Sequence, residues 1–347
     1  MKLFPSTRLL SLALAAFCVS FAACEDDPKP IDTGTSIAPG EGVFIANEGL
    51  FNGGNASVMY YKLGDDAPST DLFFAANLRP VGDVLQSMTQ VGGVLHLLVN
   101  NSNRVESVLL PSFVSGNVVN GLANPRQMAV AQNHAFITGY GINGVKRMSL
   151  MTNQLEGEIT LPGWTDAILY YNNELFVTTP SGSKLYVLNP TAMQAVDSIE
   201  VGVGANGLVV DKDGMLWVFC AGESWNGVAG ALVKVNPATR QIMNNIDLGL
   251  TVGSAGRLCA NGALDSLYFL NGDVFRMSIG DNVVPPSFIP AGSRYLYSLY
   301  RHPAKPLLFA GDAVDFLQNG EMYIYNADGV LQKQFETGVG PTQVLAY

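Results

Sequence analysis

Residues 341–347 (Pro-Thr-Gln-Val-Leu-Ala-Tyr) resemble the first strand of a repeated unit whose other strands do not follow them. Matching strands lie near the start of the chain, between Gly42 and Ala75. A chain that begins and ends inside the same repeat is most simply explained as a closed ring. In such a ring the C-terminal strand pairs with N-terminal strands and leaves no loose edge.

The repeated unit consists of short runs rich in Val, Ile, Leu, Tyr and Phe, and it recurs about every 40 to 50 residues. Its clearest copy comprises residues 167–171, 174–178 and 184–188, followed by Asn-Pro. The next copy starts at Gly207 and places Asp-Gly and Asn-Pro at its own turns. These dipeptides are typical of turns, so we expect hairpins between the strands.

Weaker copies of the unit complete the series. They begin near Val84, Gln127, Gly256 and Tyr297, which gives six whole units. A seventh unit joins the C-terminal strand to residues 42–46, 57–62 and 71–75. We therefore predict an all-β fold, a seven-bladed β-propeller over residues 41–347. A β-sandwich is the structural alternative, but it does not explain a spacing held over such a length.

The N-terminal segment has the pattern of a secretory signal. Lys2 and Arg8 precede an apolar run that is too short to span a bilayer, and small residues lead to Cys24. The sequence Phe-Ala-Ala-Cys at 21–24 resembles a bacterial lipobox. Residues 1–23 are therefore predicted to be a lipoprotein signal peptide, and Cys24 the lipidated residue. An ordinary signal peptide cleaved near Ala23 is the alternative.

Residues 24–40 combine an acidic run, Glu-Asp-Asp, with prolines and small residues. Such a segment buries too little apolar surface to order itself, so we expect a flexible acidic tether. An acidic run directly after a lipidated cysteine resembles the export signal of surface lipoproteins in one group of Gram-negative bacteria. This resemblance predicts an outer-membrane protein that faces the cell exterior, although a solvated tether explains the charges as well.

Composition limits the partners and the chemistry. The formal charge of −10 argues against nucleic acid or an anionic membrane as a partner. There are three histidines, and neither they nor the cysteines have metal-ligand spacing, so we predict no metal and no cofactor. Cys220 and Cys259 lie in apolar runs, which favours buried free thiols, while a disulfide stays open because sequence does not give the geometry.

Propeller geometry separates two faces of the ring. Loops after the second strand of each unit lie on the same face as the links between units. Three such loops, at 47–55, 221–230 and 312–320, break the repeat and carry aromatic side chains among Asn and Gly. Irregular aromatic loops on a rigid ring are typical of a binding face. The candidate ligand-binding residues on these loops are Phe51, Asn52, Trp225, Asp315 and Phe316.

A second candidate set lies where the units begin, because first strands face the central axis. Polar and aromatic groups that converge on the axis form the usual pocket of a propeller. The alternative is that some of them only bond neighbouring units together. This set comprises Asp83, Gln86, Arg126, Gln127, Trp164, Asp166, Asn206, Arg257, Arg294 and Tyr295.

Two pairs of carboxylates stand apart from these sets. Asp65 and Asp66 lie in a turn, where we expect both to be solvated. Asp312 and Asp315 lie on an irregular loop, where they could touch a ligand or a cation. No catalytic residue is predicted from either pair.

Several segments carry a family resemblance. They are 82–88 (Gly-Asp-Val-Leu-Gln-Ser-Met), 99–102 (Val-Asn-Asn-Ser), 124–126 (Asn-Pro-Arg), 312–318 (Asp-Ala-Val-Asp-Phe-Leu-Gln), 47–49 and 55–61. Together they resemble the YncE-like seven-bladed propeller lipoproteins, over essentially the whole mature chain. The best understood members capture cobalamin at the cell surface and pass it to a TonB-dependent transporter, and relatives capture ferric siderophores.

The resemblance implies a lipid-anchored protein that captures cobalamin or a similar bulky small molecule for a TonB-dependent outer-membrane transporter. Ferric siderophore capture is the first alternative, and an adhesive surface protein is another. A propeller lactonase or lyase is a less favoured alternative: such enzymes generally use a metal or a histidine base at the axis, and the His and acid placement of this sequence offers neither plainly, so we expect no enzyme. Ring closure is also expected to bring the 47–55 loop close to the tether.

Overall fold

The computed structural model describes residues 37–253 and 256–347. These residues form seven antiparallel sheets, which are the seven blades of a β-propeller, so the predicted fold is confirmed. The signal peptide at 1–23, lipidation of Cys24 and most of the predicted tether lie outside the described residues. Within the described ranges, no helix is long and apolar enough to cross a membrane.

The first half of the chain starts in the closing blade with β1 (Gly42–Asn47), β2 (Ser57–Lys62) and the helix α1 (Leu72–Asn77). Blade I contains β3 (Leu85–Val91), β4 (Val94–Val99), β5 (Arg104–Leu109) and β6 (Val114–Asn120). Blade II contains β7 (Pro125–Ala131), β8 (His134–Gly139), β9 (Gly144–Ser149) and β10 (Leu155–Thr160). Blade III contains β11 (Ile168–Tyr171), β12 (Glu174–Thr178), β13 (Lys184–Asn189) and β14 (Gln194–Glu200).

The second half continues the series. Blade IV contains β15 (Ala205–Val210), β16 (Leu216–Cys220), β17 (Gly230–Asn236) and β18 (Gln241–Gly249), with a 3-10 turn at Ser224–Asn226. Blade V contains β19 (Cys259–Ala260), β20 (Ser266–Asn271) and β21 (Asp273–Ser278). Blade VI contains β22 (Leu296–Arg301), β23 (Leu308–Asp312), β24 (Glu321–Tyr325) and β25 (Leu331–Glu336), and β26 (Pro341–Ala346) completes the closing blade.

The Asp-Gly turn of blade IV shows how local sequence sets the hairpins. One carboxylate oxygen of Asp211 accepts hydrogen bonds from the backbone N–H groups of Asp213 and Met215, at 3.0 and 2.9 Å. The other accepts from the indole N–H of Trp217, at 2.9 Å. Gly214 adopts φ +74°, a left-handed conformation that glycine enters without strain. The turn therefore fixes the register of β15 against β16.

Ring closure occurs as predicted, because β26 pairs antiparallel with β1. Phe44, fully buried on β1, packs its ring 5.0 Å from the ring of Tyr347 and 5.2 Å from that of Phe113 in blade I. The first described strand and the C-terminal residue thus share one hydrophobic cluster with blade I. This cluster closes the ring with side-chain packing in addition to strand pairing.

The fourth strand predicted for the closing blade, at 71–75, is wrong. These residues enter α1, and Asp71 is its N-cap, with its carboxylate accepting from the N–H of Phe73 at 3.0 Å and of Val58 at 3.2 Å. Leu72 and Phe73 are adjacent and both buried, whereas a strand would turn neighbouring side chains to opposite faces. The closing blade therefore has three strands capped by a short helix.

The unit that begins near Gly256 is not whole either. Blade V has three strands in the part of the chain that the structure describes. Beyond β21, residues 285 and 286 are consecutive prolines, which lack the N–H that a fourth strand would donate. Where a fourth strand would pair with the sheet, the structure has a single antiparallel β-bridge between Val274 and Ile289.

The strand directions define two faces. We call the face formed by loops between second and third strands, together with the links between blades, the loop face, and the opposite one the turn face. Strand β1 starts at Gly42 on the turn face and reaches the loop face at Asn47. Gly40 donates a hydrogen bond to the carbonyl of Tyr347, which places Gly40 on the turn face as well. The 47–55 loop therefore lies on the face opposite the start of the described chain, while most of the tether lies outside the described residues, so the expectation that it lies close to this loop stays a prediction.

Candidate functional site

A cavity of about 260 Å³ opens on the central axis near the loop face. Its walls come from the starts of first strands, from the links that precede them and, at Tyr140, from the loop after a second strand. The lining residues are Arg126, Gln127, Tyr140, Asp166, Asn206, Gly256, Arg257 and Tyr297.

Irregularities of the first strands direct several of these side chains. In five blades the pairing between the first and second strands shifts register at the second residue of the first strand. A β-bulge of this kind removes a residue from the ladder and re-aims its side chain. The residues at these shifts are Thr342, Gln86, Arg126 with Gln127, Asn206 and Tyr297. The same β-bulge, repeated in five blades, thus directs mostly polar side chains toward the axis.

Arg126 forms an ion pair with Asp166 at one side of the cavity. Its guanidinium makes two bonds of 3.2 Å to the carboxylate of Asp166 and donates to the side-chain oxygen of Gln86. The amide of Gln86 in turn donates to Thr342 at 3.4 Å. Burial opposes the charge on Arg126, but the Asp166 carboxylate outweighs burial, so the pKa of Arg126 is raised. These contacts tie the closing blade and blades I to III together through charge-assisted hydrogen bonds.

Tyr140 extends this pair toward the cavity mouth. Its hydroxyl donates to Asp166 at 3.0 Å, and the Arg126 guanidinium lies 4.3 Å from its ring centre. Burial, followed by the charge of Asp166, raises the pKa of Tyr140 to about 12. Trp164 stacks on the ring of Tyr140 with centroids 5.5 Å apart, while half of Trp164 stays exposed. A flat aromatic wall therefore rises from the cavity to the surface.

The opposite side holds Glu48, Tyr297 and Arg257. The Tyr297 hydroxyl donates to Glu48 at 2.6 Å, and Nε of Arg257 donates to the Tyr297 carbonyl at 2.9 Å. Burial raises the pKa of the Glu48 carboxyl, and the Tyr297 hydrogen bond and the charge of Arg257 offset part of that effect. Burial also raises the pKa of Tyr297. Both groups are thus held toward their neutral forms.

A second aromatic wall covers this side. Phe316 packs edge-on against Tyr297, with ring centroids 4.8 Å apart, and also against Tyr295 at 5.7 Å. Tyr295 is partly exposed, and its backbone N–H is held by the carboxylate of Asp312 at 2.9 Å. The two walls flank the mouth of the cavity with apolar surface.

Close packing shapes the floor of the cavity. A Cβ added to Gly256 would lie 2.1 Å from the side-chain oxygen of Asn206, and Gly256 adopts φ +107°. A side chain at this position is therefore excluded by both space and conformation. Below it a second cavity of about 240 Å³ shares Asn206, Gly256 and Arg257, and extends along the axis past Leu299 and Val344.

The structure places the predicted residues in three groups. Arg126, Asp166, Asn206 and Arg257 line the axial cavity, as does Gln127. Contacts described above link Gln86, Trp164, Tyr295 and Phe316 to the lining residues. The remaining predicted residues lie elsewhere and are Phe51, Asn52, Asp83, Trp225, Arg294 and Asp315.

The loop residues of this third group are exposed at the surface. The exposed fraction is 73% for Phe51 and 78% for Trp225. Asp83 instead fixes the 47–55 loop, because its carboxylate accepts from the N–H of Asn52 at 3.0 Å and from the amide of Asn101. Arg294 turns away from the axis toward Tyr325, to which it donates a hydrogen bond.

The two carboxylate pairs stay apart from the cavity. Lys333 binds Asp66 at 2.9 Å on the exposed surface. Asp315 is also exposed and accepts from the N–H of Leu317 at 2.8 Å, whereas Asp312 is buried. In residues 37–253 and 256–347, no group of three His, Cys, Asp or Glu side chains is arranged to hold a metal ion.

Both cysteines of the propeller are free thiols, in agreement with the prediction. Burial raises the pKa of the Cys220 thiol and of the Cys259 thiol to about 12. Neither thiol is activated as a nucleophile by its surroundings.

Two lining side chains, Tyr140 and Tyr297, were missing from the predicted set, as was Glu48, which does not line the cavity but accepts the Tyr297 hydrogen bond behind it. Tyr297 had a readable signal, because it occupies the same repeat position as Arg126 and Asn206. Tyr140 and Glu48 follow second strands, and sequence alone does not show that side chains at these positions lie at or near the axial cavity.

Comparison with solved structures supports the fold. A quinonprotein alcohol dehydrogenase-like protein from Bacteroides thetaiotaomicron matches with a TM-score of 0.68 and 15% identity, over 88% of this chain and 78% of the other. A protein from Lactobacillus plantarum matches with a TM-score of 0.67 and 13% identity, over 88% and 98%. Hydrazine synthase from Kuenenia stuttgartiensis matches with a TM-score of 0.58 and 13% identity, over 72% and 85%. At such identities the likeness shows the fold alone.

No curated protein sequence matches the chain. One family does match, described as "Domain of unknown function (DUF5074)", and it covers residues 41–302. This span includes the closing blade's β1 and β2 and continues into blade VI. The chain therefore belongs to the DUF5074 family.

Proposed function

We propose that this protein is a non-enzymatic binding protein that captures a bulky small molecule at the axial cavity of its loop face. One observation carries the proposal. Bulged first strands bring polar side chains from several blades into a single cavity, and exposed aromatic residues stand around its mouth on the same face. A mostly preformed pocket with a few convergent polar groups is the usual form of a small-molecule site.

The ligand class that we propose is a corrinoid such as cobalamin, in line with the resemblance of the sequence. A cavity of about 260 Å³ holds only part of such a molecule. The macrocycle would therefore lie over the mouth, against Trp164 and Phe316. Its peripheral amides would bond Gln127 and Asn206, while Phe51 and Trp225 on the outer loops would cover apolar parts.

The two faces give this proposal an orientation. The described chain starts on the turn face, where Gly40 bonds to Tyr347. If Cys24 carries a lipid anchor, the loop face would be turned away from the membrane that holds it. A ligand captured from outside would then reach the cavity freely, and its transfer to a TonB-dependent transporter in the same membrane would require the propeller to reorient on the predicted flexible tether.

One observation favours the second ligand class, a ferric siderophore. Arg257 lines the cavity, and within the described residues no carboxylate oxygen lies within 4.0 Å of its nitrogens. A guanidinium without a bonded carboxylate suits an anionic ligand better than a neutral one. The overall charge of −10 weighs in the other direction.

A catalytic function has less support from the cavity. Among the described residues its lining contains no histidine and a single carboxylate, Asp166, which is held by Arg126 and Tyr140. General acid–base chemistry needs a group that is free to exchange a proton with the substrate. We therefore propose binding as the primary activity.

Isothermal titration with cyanocobalamin and with a ferric catecholate tests the proposal. We expect one site per chain with sub-micromolar affinity for cyanocobalamin, and loss of about tenfold in Trp164→Ala, since aromatic stacking contributes about 0.5–1.5 kcal/mol. Met151→Ala is the matched control, an exposed apolar residue in a turn of blade II on the turn face. Absence of sub-micromolar cyanocobalamin binding would refute the corrinoid, and tight binding of the ferric catecholate would then support the second class.

A further inference from the structure

The two arginines of the axial cavity differ in their electrostatic state. The charge of Arg126 is neutralised by Asp166 through two hydrogen bonds, and the neutral amide of Gln86 accepts a third. Arg257 uses only Nε in a described hydrogen bond, to the carbonyl of Tyr297. Its guanidinium centre lies 4.8 Å from the Tyr297 ring, which orients the group. The two terminal nitrogens of Arg257 have no hydrogen-bond partner within the ranges that the structure describes.

Within the described residues no carboxylate is bonded to Arg257, although the charge of Arg257 acts on the Glu48 carboxyl. Glu48 accepts the Tyr297 hydroxyl at 2.6 Å instead, and its burial raises its pKa. The cavity therefore contains one closed ion pair and one guanidinium whose charge is not matched by a bonded carboxylate. Arg257 is half-buried, and an anion from outside the protein would stabilise a cation in that environment.

We infer that Arg257 is the anchor for an oxyanion carried by the ligand, a phosphate ester or a carboxylate attached to a planar body. The terminal nitrogens of an arginine match the two oxygens of either group. The planar body would lie against the aromatic walls that flank the cavity, Trp164 on Tyr140 and Phe316 on Tyr297. This inference rests on the proposed function, since it assigns a role within the same site.

In a corrinoid the oxyanion would be the phosphodiester of the nucleotide loop. This makes a comparison within one ligand class possible. Cyanocobalamin carries that phosphate, whereas dicyanocobinamide lacks both the nucleotide and the phosphate. The contribution of Arg257 should appear with the first ligand and vanish with the second.

The experiment measures dissociation constants of both corrinoids for the wild type, Arg257→Gln and Arg294→Gln. Arg294 is the matched control, an arginine of the same face whose guanidinium is bonded away from the cavity. We expect Arg257→Gln to weaken cyanocobalamin binding about ten- to a hundredfold, the range for a charge-assisted hydrogen bond, and to leave dicyanocobinamide binding unchanged. Equal losses for both ligands, or no loss for either, would overturn the inference.

Phenyl phosphate, benzoate and benzyl alcohol test the inference apart from the corrinoid. We expect the wild type to bind at least one of the two anions more tightly than the neutral alcohol, by a margin that shrinks in high salt and disappears in Arg257→Gln. Whichever of phenyl phosphate and benzoate binds more tightly identifies phosphate or carboxylate as the preferred group. Anion binding without cyanocobalamin binding would refute the corrinoid and retain the anchor. If Arg257→Gln leaves cyanocobalamin binding unchanged, the anchor role of Arg257 is refuted and the corrinoid is retained.

Discussion

The hydroxyl of Tyr297 donates a hydrogen bond of 2.6 Å to the carboxylate of Glu48, and so joins blade VI to the first residue after β1. The two residues are 249 positions apart in the sequence. Their contact depends on the closed ring, because β1 is held in place by β26. Ring closure thus positions one wall of the axial cavity.

Glu48 should give the protein a stability that depends on pH. Its pKa is raised above the ordinary value of 4.5, so the folded state holds the proton more tightly than the unfolded chain. This contribution is fully present below the unfolded pKa and is lost as pH rises through the folded pKa. Glu48→Gln keeps an oxygen for the Tyr297 hydroxyl and should remove that loss.

Urea denaturation of wild type and Glu48→Gln from pH 4 to pH 8 measures the effect, with Glu200→Gln as an exposed control. The difference in urea midpoint between wild type and Glu48→Gln should change as pH rises above 4.5, the ordinary pKa of a glutamate carboxyl. Parallel curves for the two proteins would show that Glu48 does not carry this dependence.

The Arg126–Asp166 pair should be essential for stability. Asp166→Asn leaves a buried guanidinium without its counter-charge, which typically costs about 3 to 5 kcal/mol. Asp315→Asn changes an exposed carboxylate whose acceptor role the amide oxygen can keep, so we expect a change within about 0.5 kcal/mol. Chemical denaturation of the two variants checks the difference. Similar losses in both would contradict a dominant role for the buried pair.

The hydrophobic cluster at the seam should be the most sensitive part of the ring closure. Phe44 is fully buried among Tyr60, Phe113 and Tyr347, so Phe44→Ala is expected to cost about 3 to 5 kcal/mol. Phe51→Ala removes a ring that is 73% exposed and should stay within about 0.5 kcal/mol. The free energy of unfolding of each variant decides the matter. A small loss for Phe44→Ala would mean that strand pairing alone closes the ring.

His96 should destabilise the protein in mild acid. It is buried in blade I beside the hydroxyl of Ser107, at 2.9 Å, and burial lowers its pKa to about 4. As pH falls, His96 takes up a proton in the unfolded chain before it does so in the folded protein. The free energy of unfolding is therefore unaffected by His96 above its ordinary pKa of 6.5 and falls as pH drops toward 4. The loss should be on the order of 2 to 3 kcal/mol. An NMR titration that placed the imidazole near 6.5 would contradict this.

The fold was predictable to the level of strands and ring closure because hairpin turns are local. Asp211 organises its turn with neighbours no more than six residues away, so the pattern is visible in the sequence. The run that contains Leu72 and Phe73 was ambiguous, since a short apolar run fits a strand as well as a helix. Its N-cap, Asp71, was the available signal.

The candidate site was predictable only in part. Arg126 and Asn206 occupy the start of first strands, where repeat position alone directs them to the axis. Arg294 occupies a similar position, but its partner Tyr325 lies 31 residues further along the chain and draws it outward. Glu48 reaches the cavity only through contact with Tyr297. Contacts of this range depend on packing between blades, which local patterns do not encode.

The most direct test of the central claim is a crystal structure of the protein with cyanocobalamin, or with whichever ligand in the titrations binds most tightly. We predict electron density for the ligand over the axial cavity on the loop face, against Trp164 and Phe316, with an anionic group beside Arg257. Density confined to the turn face or to a groove between blades would contradict the account.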